Sequence, residues 1–256
     1  MNASGADSSL ALTGSVEVKA LNITGDAALT LKVDDLAKLT TIDGSAATGD
    51  LTLGVLHVTT VDVHTGSGND VFTIAADTKA TVDTGAGDDT IIASAEGGTF
   101  AGGAGNDTFD VRAALSGATV AKDMLISTVT DFSAGDTLKM IGAATASTEL
   151  TLNDTVQDLV SALTLATANK DTTVWFQYAG DTYIVANDNT DTLGAGDLAV
   201  KLTGTGYNFD GATLLQWRTA PRLTPSNPQP EHGINTPPFR STRGARGFLF
   251  DARATG

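Results

Sequence analysis

Cysteine is absent from all 256 residues, which excludes disulfide frameworks, thiol catalysis and cysteine zinc sites. No apolar run approaches the ~20 residues of a membrane-spanning helix, so the sequence predicts no transmembrane segment. The first residues, MNASGADSSLALTG, lack the basic and apolar regions of a secretory signal peptide. Aromatic residues make up only 5% of the chain, so the core must be built mainly from Val, Leu, Ile and Ala.

Basic residues are scarce as well. The chain has 15 Lys and Arg against 30 Asp and Glu, and its formal net charge is −15. A nucleic-acid-binding protein needs a basic face to contact phosphates. We therefore expect no nucleic-acid partner.

Proline is missing from the first 220 residues, and all six prolines lie beyond them. Residues 1–217, the body of the chain, hold 28 acidic and 9 basic residues, a net charge of −19. Residues 218–256, the tail, carry +4. A body without proline suits continuous strands, because proline removes a hydrogen-bond donor. The Pro/Arg-rich composition of 218–256 predicts a disordered tail. A native basic arm and a non-native extension both fit it, and we assign it no function.

Three similar segments follow one another in the body. They are TGSGNDVFT at 65–73, TGAGDDTII at 84–92 and GGAGNDTFD at 102–110. Aligned on their second positions, they are spaced 19 and 18 residues apart. Eighteen residues are two nonapeptides, which predicts one rung of a two-sheeted parallel β-roll. The intervening segments at 80–83 and 99–101 would supply the opposite strands, and Phe72, Ile91 and Phe109 would point into the core.

The repeated glycines and aspartates indicate a calcium site. Glycine permits backbone conformations that turn carbonyl oxygens toward a common point, and aspartate adds carboxylates. Ligation by oxygen alone suits Ca²⁺. Single Gly-Asp turns are also common as plain β-turns, but three copies in phase favour calcium. The predicted ligand residues are Thr65, Gly66, Gly68 and Asp70; Thr84, Gly85, Gly87 and Asp89; and Gly102, Gly103, Gly105 and Asp107.

Strand patterns flank the repeats on both sides, so we predict an all-β chain. Upstream, TGDAALTL at 24–31 is echoed by TGDLTL at 48–53, which predicts an irregular β-helix leading into the roll. Downstream we expect a mostly β cap, with a hairpin at 174–186, a strand at 198–202 and one helix at 153–170. Asp154 and Gln157 are placed as a capping box for that helix. Its apolar stripe at a period of 3.6 residues consists of Val156, Leu159, Val160 and Leu163. The predicted domains are 1–63, 64–111, 112–217 and the tail, 218–256.

The three segments resemble the calcium-binding repeats of RTX (repeats-in-toxin) proteins, GGxGxDxUx, except that threonine replaces the first glycine at Thr65 and Thr84. TDFSAGDTLKM, WFQYAGDTYIVANDN and GDLAVKLTG downstream are similar to the C-terminal regions of RTX proteins exported by type I secretion. LTTIDGSAATGDLTL, with the Thr/Ala/Gly/Asp-rich composition before the roll, resembles bacterial surface-layer (S-layer) proteins of that type. The resemblance implies an extracellular protein at the cell surface that self-assembles with calcium. Its implied partners are further copies of the chain, the type I secretion machinery and a cell-surface polysaccharide.

Catalytic motifs are missing from the sequence, so we expect no enzyme activity. There is no HExxH or GxSxG, and His57 and His64 are an odd number of residues apart on presumed strand, which puts them on opposite faces. NDNTD at 187–191 lacks the glycine and the terminal Glu of an EF-hand loop, so it is interpreted as a turn. Two hypotheses remain open: a structural surface protein, or the secretion and folding module of an exported enzyme or adhesin whose active part lies upstream.

Overall fold

A computed structural model of the chain describes residues 1–12, 17–33, 36–54, 58–112, 126–140, 147–153, 156–168, 173–187, 197–207 and 209. The chain divides into two units at 220/221, and every described residue belongs to the first. Several features of the sequence analysis fall outside the described residues. They are His57, Asp154, residues 188–191 and the whole of 210–256, including the tail.

Short strands alternate between two sheets as the chain advances. One sheet has seven strands in the order β1-β3-β5-β7-β9-β11-β13, and every pairing in it is parallel. Its strands are β1 Ser8–Leu12, β3 Leu29–Val33, β5 Leu51–Gly54, β7 Val71–Thr73, β9 Thr90–Ile92, β11 Thr108–Asp110 and β13 Thr137–Lys139.

The other sheet has ten strands, in the order β14-β15-β16-β17-β12-β10-β8-β6-β4-β2. Its solenoid strands are β2 Ala20–Gly25, β4 Thr41–Ala47, β6 Thr60–His64, β8 Lys79–Asp83, β10 Gly98–Ala101 and β12 Ser127–Val129. Four strands extend it at one edge: β17 Leu198–Leu202, β16 Asp181–Ala186, β15 Thr173–Tyr178 and β14 Ser147–Glu149. The predicted parallel β-solenoid is confirmed. The strands predicted opposite the repeats are β8 and β10.

Inward-facing side chains stack in register between the two sheets. In the seven-stranded sheet the inward file is Leu31, Leu53, Phe72, Ile91, Phe109 and Leu138. In the ten-stranded sheet it is Ile42, Val63, Val82, Phe100, Val129 and Leu202. None of these side chains is more than 2% exposed. Each fully buried apolar side chain of this size contributes ~1.5–3 kcal/mol, so these files are the main source of stability. The inward prediction for Phe72, Ile91 and Phe109 is confirmed.

The cap combines a β-hairpin with helix α1, Leu159–Thr167. β15 and β16 pair antiparallel through a turn at Ala179 and Gly180, which both have positive φ, as expected of the predicted hairpin. The predicted helix start is wrong. The N-cap is Asp158, because its Oδ1 accepts hydrogen bonds from both the main-chain N–H and the hydroxyl of Ser161.

Helix α1 buries most of the predicted stripe. Leu163 is buried against the hairpin, and Val156 and Leu159 pack against the same cluster, whereas Val160 is 47% exposed. Ala162 and Ala166 complete the buried face. Among the described residues, no helix is long and apolar enough to cross a membrane. Both sheets run across the predicted boundaries at 63/64 and 111/112. The division into lead-in, roll and cap stays a prediction.

Candidate metal centre

The three repeats form turns that lie directly above one another. Each turn connects a strand of the ten-stranded sheet to the next strand of the seven-stranded sheet: β6 to β7, β8 to β9 and β10 to β11. Because both flanking strands pair in register with their neighbours, the turns also stack in register. Ala86 and Ala104, at equivalent positions, form a parallel bridge between two of the turns.

Asp70, Asp89 and Asp107 form one buried column, the inner column. Their residues are only 1%, 1% and 2% exposed. In each, Oδ1 accepts a hydrogen bond from a main-chain N–H of the preceding rung. The donors are Leu51 to Asp70 at 2.7 Å, Asp70 to Asp89 at 2.7 Å and Asp89 to Asp107 at 3.0 Å. The predicted stacking of these three aspartates is therefore what the fold produces.

The second carboxyl oxygen of each inner aspartate is buried and unpartnered within the part of the chain that the structure describes. There, no donor meets Oδ2 of Asp70, Asp89 or Asp107 with hydrogen-bond geometry. Burial raises the pKa of all three carboxyls, and it raises the pKa of Asp89, which also lies between the charges of Asp70 and Asp107, to about 7. A buried carboxylate oxygen without a partner is costly. Each inner carboxyl therefore needs either a proton or a cation.

A second column of side chains runs along the exposed edge of the same turns and is satisfied within the protein. This outer column consists of Asp50, Asn69, Asp88 and Asn106. Each of the first three accepts a hydrogen bond at 2.8 Å from the main-chain N–H of the next member. Acid and amide alternate, and the Asn106 amide donates to Asp88 at 3.1 Å, so no two carboxylates are adjacent. The inner column has no such alternation.

The glycines of the turns are required because the backbones of successive turns are in contact. A Cβ on Gly103 would lie 1.8 Å from the carbonyl oxygen of Gly85, and one on Gly105 would lie 1.9 Å from that of Gly87. Both glycines also have positive φ, of 85° and 145°. The same obstruction recurs between earlier turns at Gly66, Gly68, Gly85 and Gly87. Carbonyl oxygens of successive turns therefore stack closely against the glycines of the next turn.

The first position of the repeat is buried in every copy. Thr65, Thr84 and Gly102 occupy it, and the two threonines are 5% and 0% exposed. The Thr65 hydroxyl donates to the Thr84 carbonyl oxygen at 2.9 Å, and the Thr84 hydroxyl donates to that of Gly102 at 3.0 Å. The structure thus brings all twelve predicted site residues into one stack of three turns.

Sequence reasoning missed two residues that extend this stack. Oδ1 of Asp136 accepts the main-chain N–H of Asp107 at 2.9 Å, so Asp136 continues the inner column. Asp131 accepts the N–H groups of Gly102 and Gly103 at 3.1 and 2.7 Å. A signal was present in the sequence, because the Asp-Thr-apolar triplets of the second and third copies recur at 136–138.

The oxygen atoms of the stacked turns suit a hard cation. The stack presents carboxylate, carbonyl and hydroxyl oxygens, which are the ligands that Ca²⁺ prefers. Among the described residues, no three His, Asp or Glu side chains converge on one point, so main-chain carbonyls would have to supply part of any coordination shell. The buried Oδ2 atoms would supply carboxylate ligands, and the main-chain carbonyls of the stacked turns would supply the other oxygens. The residues present therefore fit calcium.

His64 lies on the outer face of the ten-stranded sheet, away from the inner column. Its Nε2 is 3.5 Å from Oδ1 of Asp62, its Nδ1 is 3.8 Å from Oδ2 of Asp83, and its side chain is 44% exposed. The two nitrogens face different exposed carboxylates, so His64 is a solvated surface side chain. The expectation that the chain has no enzyme activity stays a prediction.

The sequence matched no model of a known protein family, and no curated protein was significantly similar to it. What the protein does must therefore follow from the residues and geometry of the stacked turns.

Proposed function

We propose that the protein is a calcium-binding structural protein of a cell surface, exported by type I secretion, which folds and self-assembles on extracellular Ca²⁺. The single observation that carries the calcium part is the set of three buried Oδ2 atoms of the inner column, none of which has a hydrogen-bond partner in the described residues.

Electrostatics supports a cation in preference to empty carboxylates. Adjacent rungs are ~4.8 Å apart, and at an effective dielectric of 20 two neighbouring carboxylates repel by roughly 3 kcal/mol. The body as a whole carries −19, which adds a general repulsion. Bound Ca²⁺ supplies positive charge and coordination to the oxygens of Asp70, Asp89 and Asp107, and so converts this repulsion into attraction.

The weakness expected of such sites supports folding outside the cell. Extracellular calcium modules bind with dissociation constants of about 10⁻⁴–10⁻³ M. At cytosolic calcium the inner column stays uncompensated and the roll stays unfolded, which suits passage through a secretion channel. At millimolar Ca²⁺ the ion binds only the folded form and stabilises it by mass action.

Self-assembly is the part of the proposal that rests on the S-layer resemblance and on charge. Bodies that each carry −19 repel one another at close range. Further Ca²⁺ ions bridging acidic faces would remove that barrier, whereas monovalent salt only screens it. A roll that binds calcium but stays monomeric would favour the other hypothesis, a secretion and folding module for an upstream enzyme or adhesin.

A calcium titration followed by circular dichroism tests folding. In chelator the β-signal should be small, and it should rise cooperatively with Ca²⁺. Asp89→Asn should raise the calcium midpoint about tenfold, because it removes charge from the inner column. Asp88→Asn is the matched control, since Asp88 belongs to the satisfied outer column, and its midpoint should stay unchanged. Full β-signal in excess chelator at pH 8, above the pKa of Asp89, would refute calcium-driven folding.

Light scattering tests assembly separately. Large particles should form in millimolar Ca²⁺ and disperse in chelator. Ionic-strength-matched NaCl should not produce them. Equal scattering in both salts would mean general screening and would contradict bridging by calcium.

A further inference from the structure

The core of the solenoid is covered at its C-terminal end and open at its N-terminal end. Leu138, the last member of the inward file of the seven-stranded sheet, is 1% exposed. The rings of Phe132 and Tyr207, 6.0 Å apart, pack against the core cluster that contains it. At the other end, Leu10 of β1 pairs with the fully buried Leu31 but is itself 39% exposed. The inward file therefore ends uncovered at Leu10.

An apolar groove opens between β1 and β2 at the same end. Its lining includes Met1, Leu12, Val18 and Leu21, and its volume is about 440 Å³. Met1 is 42% exposed, so two of the three exposed large apolar side chains in the described part of the chain, Met1 and Leu10, lie at this end. The end repeats of a solenoid normally carry a polar outer face, which keeps the protein soluble. Here the end presents an apolar groove instead.

The edge strand β1 also leaves main-chain groups facing solvent. Within the described residues it pairs only with β3. The N–H of Ser8 donates to the Ala28 carbonyl on the β3 side. Because main-chain groups alternate in direction along a strand, those of Ser9 and Ala11 point to the open side. On the other sheet, residues 1–3 bond to only part of β2. An edge of this kind is a template for pairing with another strand.

Neither edge strand carries a charged side chain, since β1 is SSLAL and β2 is ALNITG. Residues 1–25 hold two acids, Asp7 and Glu17, and one base, Lys19, a net of −1, in a body that carries −19. Natural proteins usually protect an edge with charged side chains or proline, and β1 has neither. A second acidic body can therefore approach this end with little of the repulsion that the rest of the body imposes.

We propose that this end is an interface at which a second copy of the chain docks head to head, with β1 of one copy pairing antiparallel with β1 of the other. A two-fold axis through both sheet edges reverses the strand direction and the solenoid direction together. One contact then continues both sheets and covers both grooves. The near-neutral edge and this self-complementary geometry select a second copy as the occupant. The inference rests on the proposed self-assembly and names one of its surfaces.

Single cysteines test the pairing, because the chain contains none of its own. Ser9→Cys, Leu10→Cys and Ala11→Cys scan the middle of β1, where directly opposed residues of an antiparallel pair lie close enough for a disulfide. Under mild oxidation in saturating Ca²⁺, at least one of them should run mainly as a covalent dimer on a non-reducing denaturing gel. Val160→Cys is the matched control, since Val160 is an exposed apolar residue of helix α1, and it should stay mainly monomeric. Equal dimer yields at both places would mean random collision and would overturn the inference.

Sedimentation velocity tests the same contact without a covalent link. At the lowest Ca²⁺ that saturates the circular dichroism signal, the wild-type protein should shift from monomer to dimer as its concentration rises. Ser9→Pro removes a donor that points to solvent, so the fold should be unchanged while dimerisation weakens about tenfold or more. Ser9→Asp places like charges on the two paired strands and should act in the same way. Ser9→Ala keeps the donor and should dimerise like the wild type.

The outcomes separate this inference from the proposed function. A folded protein that stays monomeric, with no cross-link from any β1 cysteine, would show that the end contact is wrong. Dimers that survive both Ser9→Pro and Ser9→Asp would place the contact on another surface. Cross-linking that disappears on deletion of residues 218–256 would show that the tail holds the copies together, and it too would overturn the inference. Failure of calcium-driven folding or of calcium bridging appears instead in circular dichroism and light scattering, and a β1 dimer would stand in either case.

Discussion

The main-chain N–H of Asp89 donates to Oδ1 of Asp107, one rung further along the chain, at 3.0 Å. The Asp107 carboxyl therefore binds the turn before it through Oδ1, while its Oδ2 stays buried without a partner in the described residues. This link makes the position of each inner carboxyl depend on its neighbours. Mutations in the column should consequently have effects that depend on rung position.

Asp89→Ala should raise the calcium midpoint more than Asp70→Ala. Asp89 has an inner-column aspartate on both sides, whereas Asp70 is the first member and contacts Leu51 on its other side. Calcium titrations of the two variants by circular dichroism provide the comparison. Equal shifts, or a larger shift for Asp70→Ala, would contradict a column of shared ions.

Without calcium, the stability of the folded roll should rise as pH falls. Burial raises the folded-state pKa of Asp89 to about 7, above the ordinary value of an unfolded aspartate. The stability that its proton supplies is fully present below that ordinary value and is lost as pH rises through about 7. Thermal unfolding in chelator between pH 4.5 and 8 measures this. A transition temperature that increased over that range would show that these carboxyls are not protonated on folding.

Gly105→Ala should destabilise the calcium-bound protein by about 3 kcal/mol or more. The added Cβ would lie 1.9 Å from the Gly87 carbonyl oxygen, and the residue has a φ of 145°. Gly206→Ala is the control, since its Cβ would meet nothing within 4 Å, and it should change stability by less than about 0.5 kcal/mol. Urea unfolding in saturating Ca²⁺ yields both values. Similar losses for the two variants would mean that contact between turns is not the cause.

Deleting residues 218–256 should leave the thermal transition in calcium unchanged. The composition of this segment, with six Arg and all six Pro, predicts that it buries too little apolar surface to offset the entropy of ordering. Differential scanning calorimetry of the full and shortened chains decides the matter. A marked fall in the transition temperature would show that the tail packs on the body.

The sequence predicted the repeated parts of the fold, and in the cap it predicted the hairpin and the strand at 198–202. Phe72, Ile91 and Phe109 could be placed in the core because their spacing follows from the turns before them. Asp136 was missed because Gly135 precedes it directly, without the intervening residue of the other copies. Its Asp-Thr-apolar triplet was the remaining signal, and the pairing of Phe109 with Leu138 establishes its position.

The other features that the sequence did not predict depend on the direction of individual side chains, and residue spacing does not encode that direction. Asp154 matched a helix cap as well as Asp158 did, and the Ser161 donors that select Asp158 become apparent only in the folded chain. The unpartnered Oδ2 atoms also become apparent only in the folded chain. A carboxyl at a repeated position is visible in the sequence, but which of its oxygens lacks a donor is not.

The hydrogen bonds of the inner and outer columns run in opposite directions along the solenoid. The amides of Leu51, Asp70, Asp89 and Asp107 are each satisfied by a carboxyl from the rung that follows. The amides of the last three outer-column residues are each satisfied by a side chain from the rung before. Loss of one rung would therefore leave both a donor and an acceptor unsatisfied on each neighbouring rung, so the turns depend on one another in both directions.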